Sequence, residues 1–274
     1  MDNMDAFRLI AARTEKGDLT FPTNASVTLR VQRALDDPDC HIDKAAKLVS
    51  ADPLLSARVV AVANAIAFNS SGKTITDVRL AVNRLGFRTV KSLAAAQLMR
   101  LMGSGAAMPS VYRDMATKMW EHTSHVAALA QVIAKRVAHV DPETAFFSGV
   151  IHEVGAFWLL SCAKEYPGLL ETGMAEWENE GQALVGRAVL KVLAVPDSVV
   201  EAIEAYWAGY LALPPNTMGG TLLLADRLSP VESPFRQLVN ESREGNTAHI
   251  DAMIGDVTMT SILEEAANEV ASLT

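Results

Sequence analysis

Six histidines, two cysteines and 32 acidic residues are the groups in this 274-residue sequence that could hold a metal, move a proton or attack a substrate. His122 and His125 lie three apart in a segment of helical period, so they share a face. Helices also carry such pairs for packing alone. His152 and Glu153 stand together at the centre of Ala145–Ala163, a nearly apolar run of nineteen residues. A charge at the middle of a membrane span is costly, so this run reads as a buried core helix. Its polar pair is then either a pair of metal ligands or part of a buried hydrogen-bonded network, stable only if each polar atom finds a partner. Cys40 and Cys162 are too few for a disulfide framework and point to a reducing cytoplasm.

Other chemistries lack their signatures. There is no Gly-x-Ser-x-Gly elbow, no Walker loop, no Cys–His zinc spacing and no zincin motif. The Gly103-x-Gly105 pair follows a helical pattern and not a strand, which excludes a dinucleotide fingerprint. Trp158, Trp177, Tyr206 and Trp207 have no basic stripe between them, so they read as core or interface aromatics. The formal charge of −8 repels phosphate backbones, and no nucleic-acid partner is expected. The cations Lys73, Arg79, Arg84, Arg88, Lys91 and Arg100 read as a solvated face, with a docking patch for an acidic partner as the alternative. The N-terminus MDNMDAFRLI has neither the basic start nor the apolar core of a signal peptide, and no membrane association is expected.

These groups must be positioned by helices, because 3.6-residue periodicity recurs along the chain and strand patterns hardly appear. Asp52–Pro53 and Asp141–Pro142 each combine an N-cap with a proline at the first helical position. Asn24 is a candidate cap for a helix through Val27, Val31, Ala34 and Leu35, and Gly86 is a natural helix exit after Leu85. Further helices are expected over about Asp2–Lys16, Asp43–Ala51, Arg88–Met102, Ser110–Val137, Gly168–Glu180, Ala183–Leu193, Asp197–Gly209 and Thr217–Leu228. The last is placed near Ser261–Leu273, where Ser261 and Glu264 have capping-box spacing. Asn64 is expected to bond a loop backbone. The fold class is all-α, with about a dozen helices in two packed subdomains. GSGAAMPS, at 103–110, is the best boundary and divides the chain into 1–107 and 108–274.

Phe21–Pro22, RVQRALDDPD, SADPLLSARVVAVANA and AVNRLGF resemble the N-terminal part of the HDOD family, although Ala65 follows Asn64 where the family pattern has Ser. WEHTSHVAALA (120–130), FSGVIHEVGAF (147–157) and LLLADRLS (222–229) resemble the HD-related portion of that family, in order. The likeness spans about 21–230. It implies that the second subdomain is HD-like and descends from a metal-dependent phosphohydrolase site. Position by position, it makes His122 the first histidine ligand, His152 and Glu153 the His-Asp pair with Glu for Asp, and Asp226 the final aspartate.

Other positions depart from the pattern. Gln182 stands where a histidine is common, Tyr206 and Trp207 stand where a histidine pair is common, and Ala156–Phe157 replace the lysine of active HD-GYP phosphodiesterases. A bimetal centre is therefore dismantled. The four remaining groups leave room for a single divalent metal, although no cofactor is required. The resemblance thus implies a non-catalytic bacterial signalling module that binds a partner protein or small ligand through a degenerate HD-type pocket. A homodimer is compatible with this reading. The competing implication is a phosphohydrolase acting on a nucleotide or phosphoester with a reduced metal site.

Overall fold

The computed structural model describes residues 2–14, 25–69, 71–103, 110–239 and 256–273. These residues form helices and connecting turns, with no strand among them. The expected Asn24 cap, the Phe21–Pro22 opening and most of the 103–110 boundary lie outside the described residues.

The first half comprises α2 (Ala25–Asp36), α3 (Ile42–Ser50), α4 (Pro53–Asn64) and α5 (Val78–Gly103), packed with α5 against the other three. Local sequence explains their ends. The Asp52 carboxylate accepts the Leu55 amide at 2.9 Å, and Pro53 occupies the first turn, where its missing N–H leaves nothing unsatisfied. Asn64 behaves as a backbone clamp: its amide nitrogen donates to the Ile75 carbonyl at 2.7 Å and its oxygen accepts the Ile75 N–H at 2.8 Å. Gly86 breaks α5 with φ 73° and ψ 158°, a backbone conformation only glycine adopts readily. Of the basic run, Arg79 pairs with Asp43, Lys91 pairs with Asp36, and Arg84 donates to backbone carbonyls.

The second half is built on α6 (Ser110–Ile133), which ends in a π-turn at Ala134–Ala138. Against α6 pack α7 (Pro142–Ile151), α8 (Val154–Cys162), α13 (Met218–Leu228) and α15 (Asp256–Leu273). Short α9 (Leu169–Thr172) and α10 (Met174–Glu176) lead into α11 (Gln182–Val192) and α12 (Asp197–Trp207), and α14 (Pro234–Val239) follows α13. Gly149 lets α7 lie directly on α6, since a Cβ there would sit 2.5 Å from Ala127 Cα. The first helix, α1 (Asn3–Thr14), packs chiefly on α11 and the α9–α11 region. Phe7 meets Trp177 at 5.5 Å between ring centroids, and Trp158 Nε1 donates to the Ile10 carbonyl at 3.1 Å.

Two expectations change. The apolar run after Asp141–Pro142 is long and apolar enough to cross a membrane, and its most apolar window is 94% buried inside the protein, as expected of a core segment. It nevertheless divides into α7 and α8 at His152–Glu153 and is not one helix. His152 Nδ1 donates to the Gly149 carbonyl at 2.7 Å, within the last turn of α7. The final helix begins at Asp256, so Ser261 lies inside it and caps nothing; its hydroxyl accepts from Arg136 at 2.7 Å.

Candidate metal centre

Four elements converge where His122 and His152 meet, their ring centroids 5.5 Å apart. His122 comes from the middle of α6, His152 from the break after α7, Asp226 from the last turn of α13, and Glu153 from the start of α8. His122 and Asp226 are fully buried, and His152 and Glu153 are 1% and 5% exposed. One atom each from His122, His152 and Asp226 lies within 4.8 Å of the others, so a single divalent ion could touch all three. Glu153 is beside this cluster and outside it. Its Oε1 accepts the Ser233 hydroxyl at 2.5 Å, and its Oε2 has no hydrogen-bond partner. His125, half-buried on the same helix as His122, is not in the cluster either.

Both histidine tautomers follow from their partners. His122 Nδ1 lies 2.7 Å from the Val231 carbonyl and His152 Nδ1 lies 2.7 Å from that of Gly149. A carbonyl can only accept, so both Nδ1 atoms carry protons and both Nε2 atoms face the centre. Metal-ligating histidines are oriented in this way. Neither Nε2 has a hydrogen-bond partner, which suits a ligand, and that of His122 lies 3.3 Å from Asp226 Oδ1.

The electrostatics are those of a buried charge cluster. Burial works against the charged form of His122, but the carboxylates of Glu153 and Asp226 outweigh it and raise its pKa. For His152, burial prevails and the pKa is lowered, despite the opposing pull of Glu153. Burial would raise Asp226, yet the neighbouring His122 ring and the charge of Arg236 hold it down to about 2. Arg236 of α14 forms an ion pair with Asp226 Oδ2, and its Nη2 donates to the Tyr206 hydroxyl at 3.4 Å. Burial and the charge of Asp226 keep Tyr206 a neutral phenol. Its ring stands edge-on to His152 at 5.4 Å.

The segment from Ser229 to Arg236 thus contacts three of the four residues, His122, Glu153 and Asp226. Ser229 and Val231 hold His122, Ser233 holds Glu153, and Arg236 holds Asp226. Sequence reasoning missed Ser233 and Arg236 altogether. Two departures now have structural roles: Tyr206 walls the site, and Trp207 lies over Gly186, where a Cβ would be 2.5 Å from the indole ring. Among the described residues, His122, His152 and Asp226 form a donor set that could hold a single ion. Its charge is already balanced in part by Arg236.

A second feature lies between the halves. A cavity of about 180 Å³ is lined by Asp43 and Lys47 of α3, Asp77 and Arg79 at the start of α5, and Glu143 and Phe146 of α7. Nearby, Thr76 and Thr144 share a hydrogen bond of 2.7 Å across the same junction.

The HDOD domain model matches residues 21–208, a span that ends before Asp226 and Arg236. An uncharacterized protein of Treponema pallidum (strain Nichols) is 23% identical over 198 residues, which is 67% of this chain and 37% of that protein. The chain therefore spans little more than a third of that relative's length. Among solved structures, the MmoQ response regulator of Methylococcus capsulatus str. Bath is 19% identical, with a TM-score of 0.59 over 85% of this chain and 98% of that one. An HDOD domain protein of Geobacter sulfurreducens is 22% identical over 97% and 99% of the two chains, with a TM-score of 0.41. A Shewanella amazonensis SB2B structure named as a candidate metal-dependent phosphohydrolase is 23% identical over the full length of both chains, with a TM-score of 0.46. The first of these structural likenesses supports the fold.

Proposed function

Because this chain belongs to the HDOD family, matched over residues 21–208, we propose that it is a non-catalytic signal-transduction module of the bacterial cytoplasm. It binds a signalling protein or small ligand and relays that binding through the packing of its two halves. One observation carries the reading: the chain itself fills and covers its HD-type pocket. His122, His152, Glu153 and Asp226 are buried, and residues 229–236 engage His122, Glu153 and Asp226.

The cavity between the halves is the better candidate for a ligand, because groups from both halves line it. A ligand that prefers one arrangement of the halves shifts their equilibrium by its difference in affinity. The experiment is a hydrolysis screen of nucleotides, cyclic dinucleotides and simple phosphoesters with Mn²⁺, Mg²⁺, Fe²⁺ and Ni²⁺. No turnover above that of the His152→Ala chain is expected. Turnover that the substitution abolishes would overturn the reading.

A second reading is a one-metal phosphohydrolase acting on a nucleotide or phosphoester. It rests on the three ligand atoms within 4.8 Å and on the orientation of both histidines. A bound ion there would supply an activated water and a clamp on phosphoryl oxygen. The chain's own contribution would be to orient that ion through Val231 and Gly149 and to keep Tyr206 as a neutral donor.

A further inference from the structure

We propose that Arg236 is the resident cation of the HD-type pocket, standing in for the charge of a metal ion and excluding one. This rests on the non-catalytic reading and gives it a specific cause. The pocket concentrates Asp226 and Glu153 in a region removed from water, where uncompensated carboxylates are costly. A metal is one way to compensate them, and a guanidinium is another.

The geometry favours the second. Arg236 pairs with Asp226 Oδ2, the carboxylate an ion would have to share with His122 and His152. Its Nη2 also reaches the Tyr206 hydroxyl, and Tyr206 in turn stands against the His152 ring. The guanidinium cannot lose its proton in a protein, so the charge is permanent. A dication added to this arrangement would face Arg236 across a single carboxylate, with the repulsion little screened.

The way in is visible as well. The Arg236 side chain is 38% exposed while Asp226 is fully buried, so the arginine enters the site from the solvent side as a plug. It is carried by α14, and the residues before α14 make further contacts. Ser233 bonds Glu153, and the Val231 carbonyl fixes His122. Those contacts leave the histidines oriented as ligands. Removing the arginine alone therefore opens the site without dismantling it.

The test uses the full chain, stripped of metal and titrated with Mn²⁺, with free Mn²⁺ read by electron paramagnetic resonance. Arg236→Ala and Arg236→Gln are expected to bind one Mn²⁺ at least about tenfold more tightly than the wild type. Arg236→Lys, which keeps the charge, is expected to stay close to the wild type. Adding His152→Ala to Arg236→Ala should abolish the gain. Circular dichroism identifies any variant that fails to fold. The wild-type chain tests the idea without substitution: one Mn²⁺ bound with Arg236 present, and lost in His152→Ala, would overturn it. So would folded Ala and Gln variants that bind no more Mn²⁺ than the wild type. Phosphoester turnover by the wild type would sink the functional reading, while Mn²⁺ uptake alone decides the role of Arg236.

Discussion

At the scale of single residues, the buried polar groups of this chain fall into those with matched partners and those under electrostatic strain. Asp52 shows both. It caps α4 through the Leu55 amide and accepts Gln97 Nε2 at 2.7 Å, yet burial still pushes its carboxyl above the ordinary value of 3.8. The folded state therefore holds this proton more tightly than the unfolded chain, and stability falls as pH rises from the ordinary value towards the raised one. Asp52→Asn keeps a capping oxygen without the charge, and Gln97 Oε1, which has no partner, can turn to accept from it. The Asn variant should gain on the wild type as pH rises through that window in urea denaturation. Asp52→Ala should lose about 1–2 kcal/mol of cap stability.

Ser233 gives a comparable test inside the candidate site. Its hydroxyl serves Glu153 Oε1, and Oε2 has no hydrogen-bond partner. Ser233→Ala should therefore destabilise the chain by about 1–3 kcal/mol, as leaving a buried acceptor unmatched does. A change within a few tenths of a kcal/mol would show that water serves Glu153 instead.

At the scale of elements, the legible features were those whose signal is local. Asp52–Pro53 and Asp141–Pro142 announce their helices because cap and proline act within one turn, and both aspartates accept the expected amide. Gly86 announces the break in α5 for the same reason. The Ser261–Glu264 spacing misled because a capping box is only one local option, and α15 continues through it from Asp256. The division at His152–Glu153 was hidden because a polar pair within an apolar run reads equally well inside one buried helix; His152 Nδ1 bonds the Gly149 carbonyl in the last turn of α7.

The close approach of α6 and α7 is also an element-scale property. Gly149→Ala would place a Cβ 2.5 Å from Ala127 Cα, and backbone cannot yield as a side chain does. We expect a loss of about 1–3 kcal/mol in chemical denaturation, as for an overpacked core. Because His122 rides on α6 and His152 follows α7, the same variant should disturb the site.

At the scale of the whole molecule, the ordered histidine and aspartate segments pointed to one pocket, and the structure does bring His122, His152 and Asp226 together. What could not be read was the set of contacts that residues 229–236 make with His122, Glu153 and Asp226. Arg236 follows Asp226 by ten positions, and nothing in its local sequence marks it; only the path of residues 229–236 across the site gives it a role. The place of α1 was equally hidden, since Trp158 comes 148 residues after its partner Ile10, and Trp177, the partner of Phe7, comes later still. Deleting residues 2–14 removes the fully buried Phe7 and Ile10 and strips both tryptophans of their cover. Each buried side chain of that kind is worth about 1.5–3 kcal/mol, so the unfolding midpoint should drop and tryptophan emission should shift to the red. Unchanged emission would show that α1 does not rest on the second half.

The central claim is that the chain fills its own HD-type pocket. Elemental mass spectrometry tests it most directly, on protein purified without chelator or histidine tag and compared with His152→Ala. The account predicts wild-type protein that folds and carries no more transition metal than the variant. Near-stoichiometric metal in the wild type, lost in His152→Ala, would contradict it.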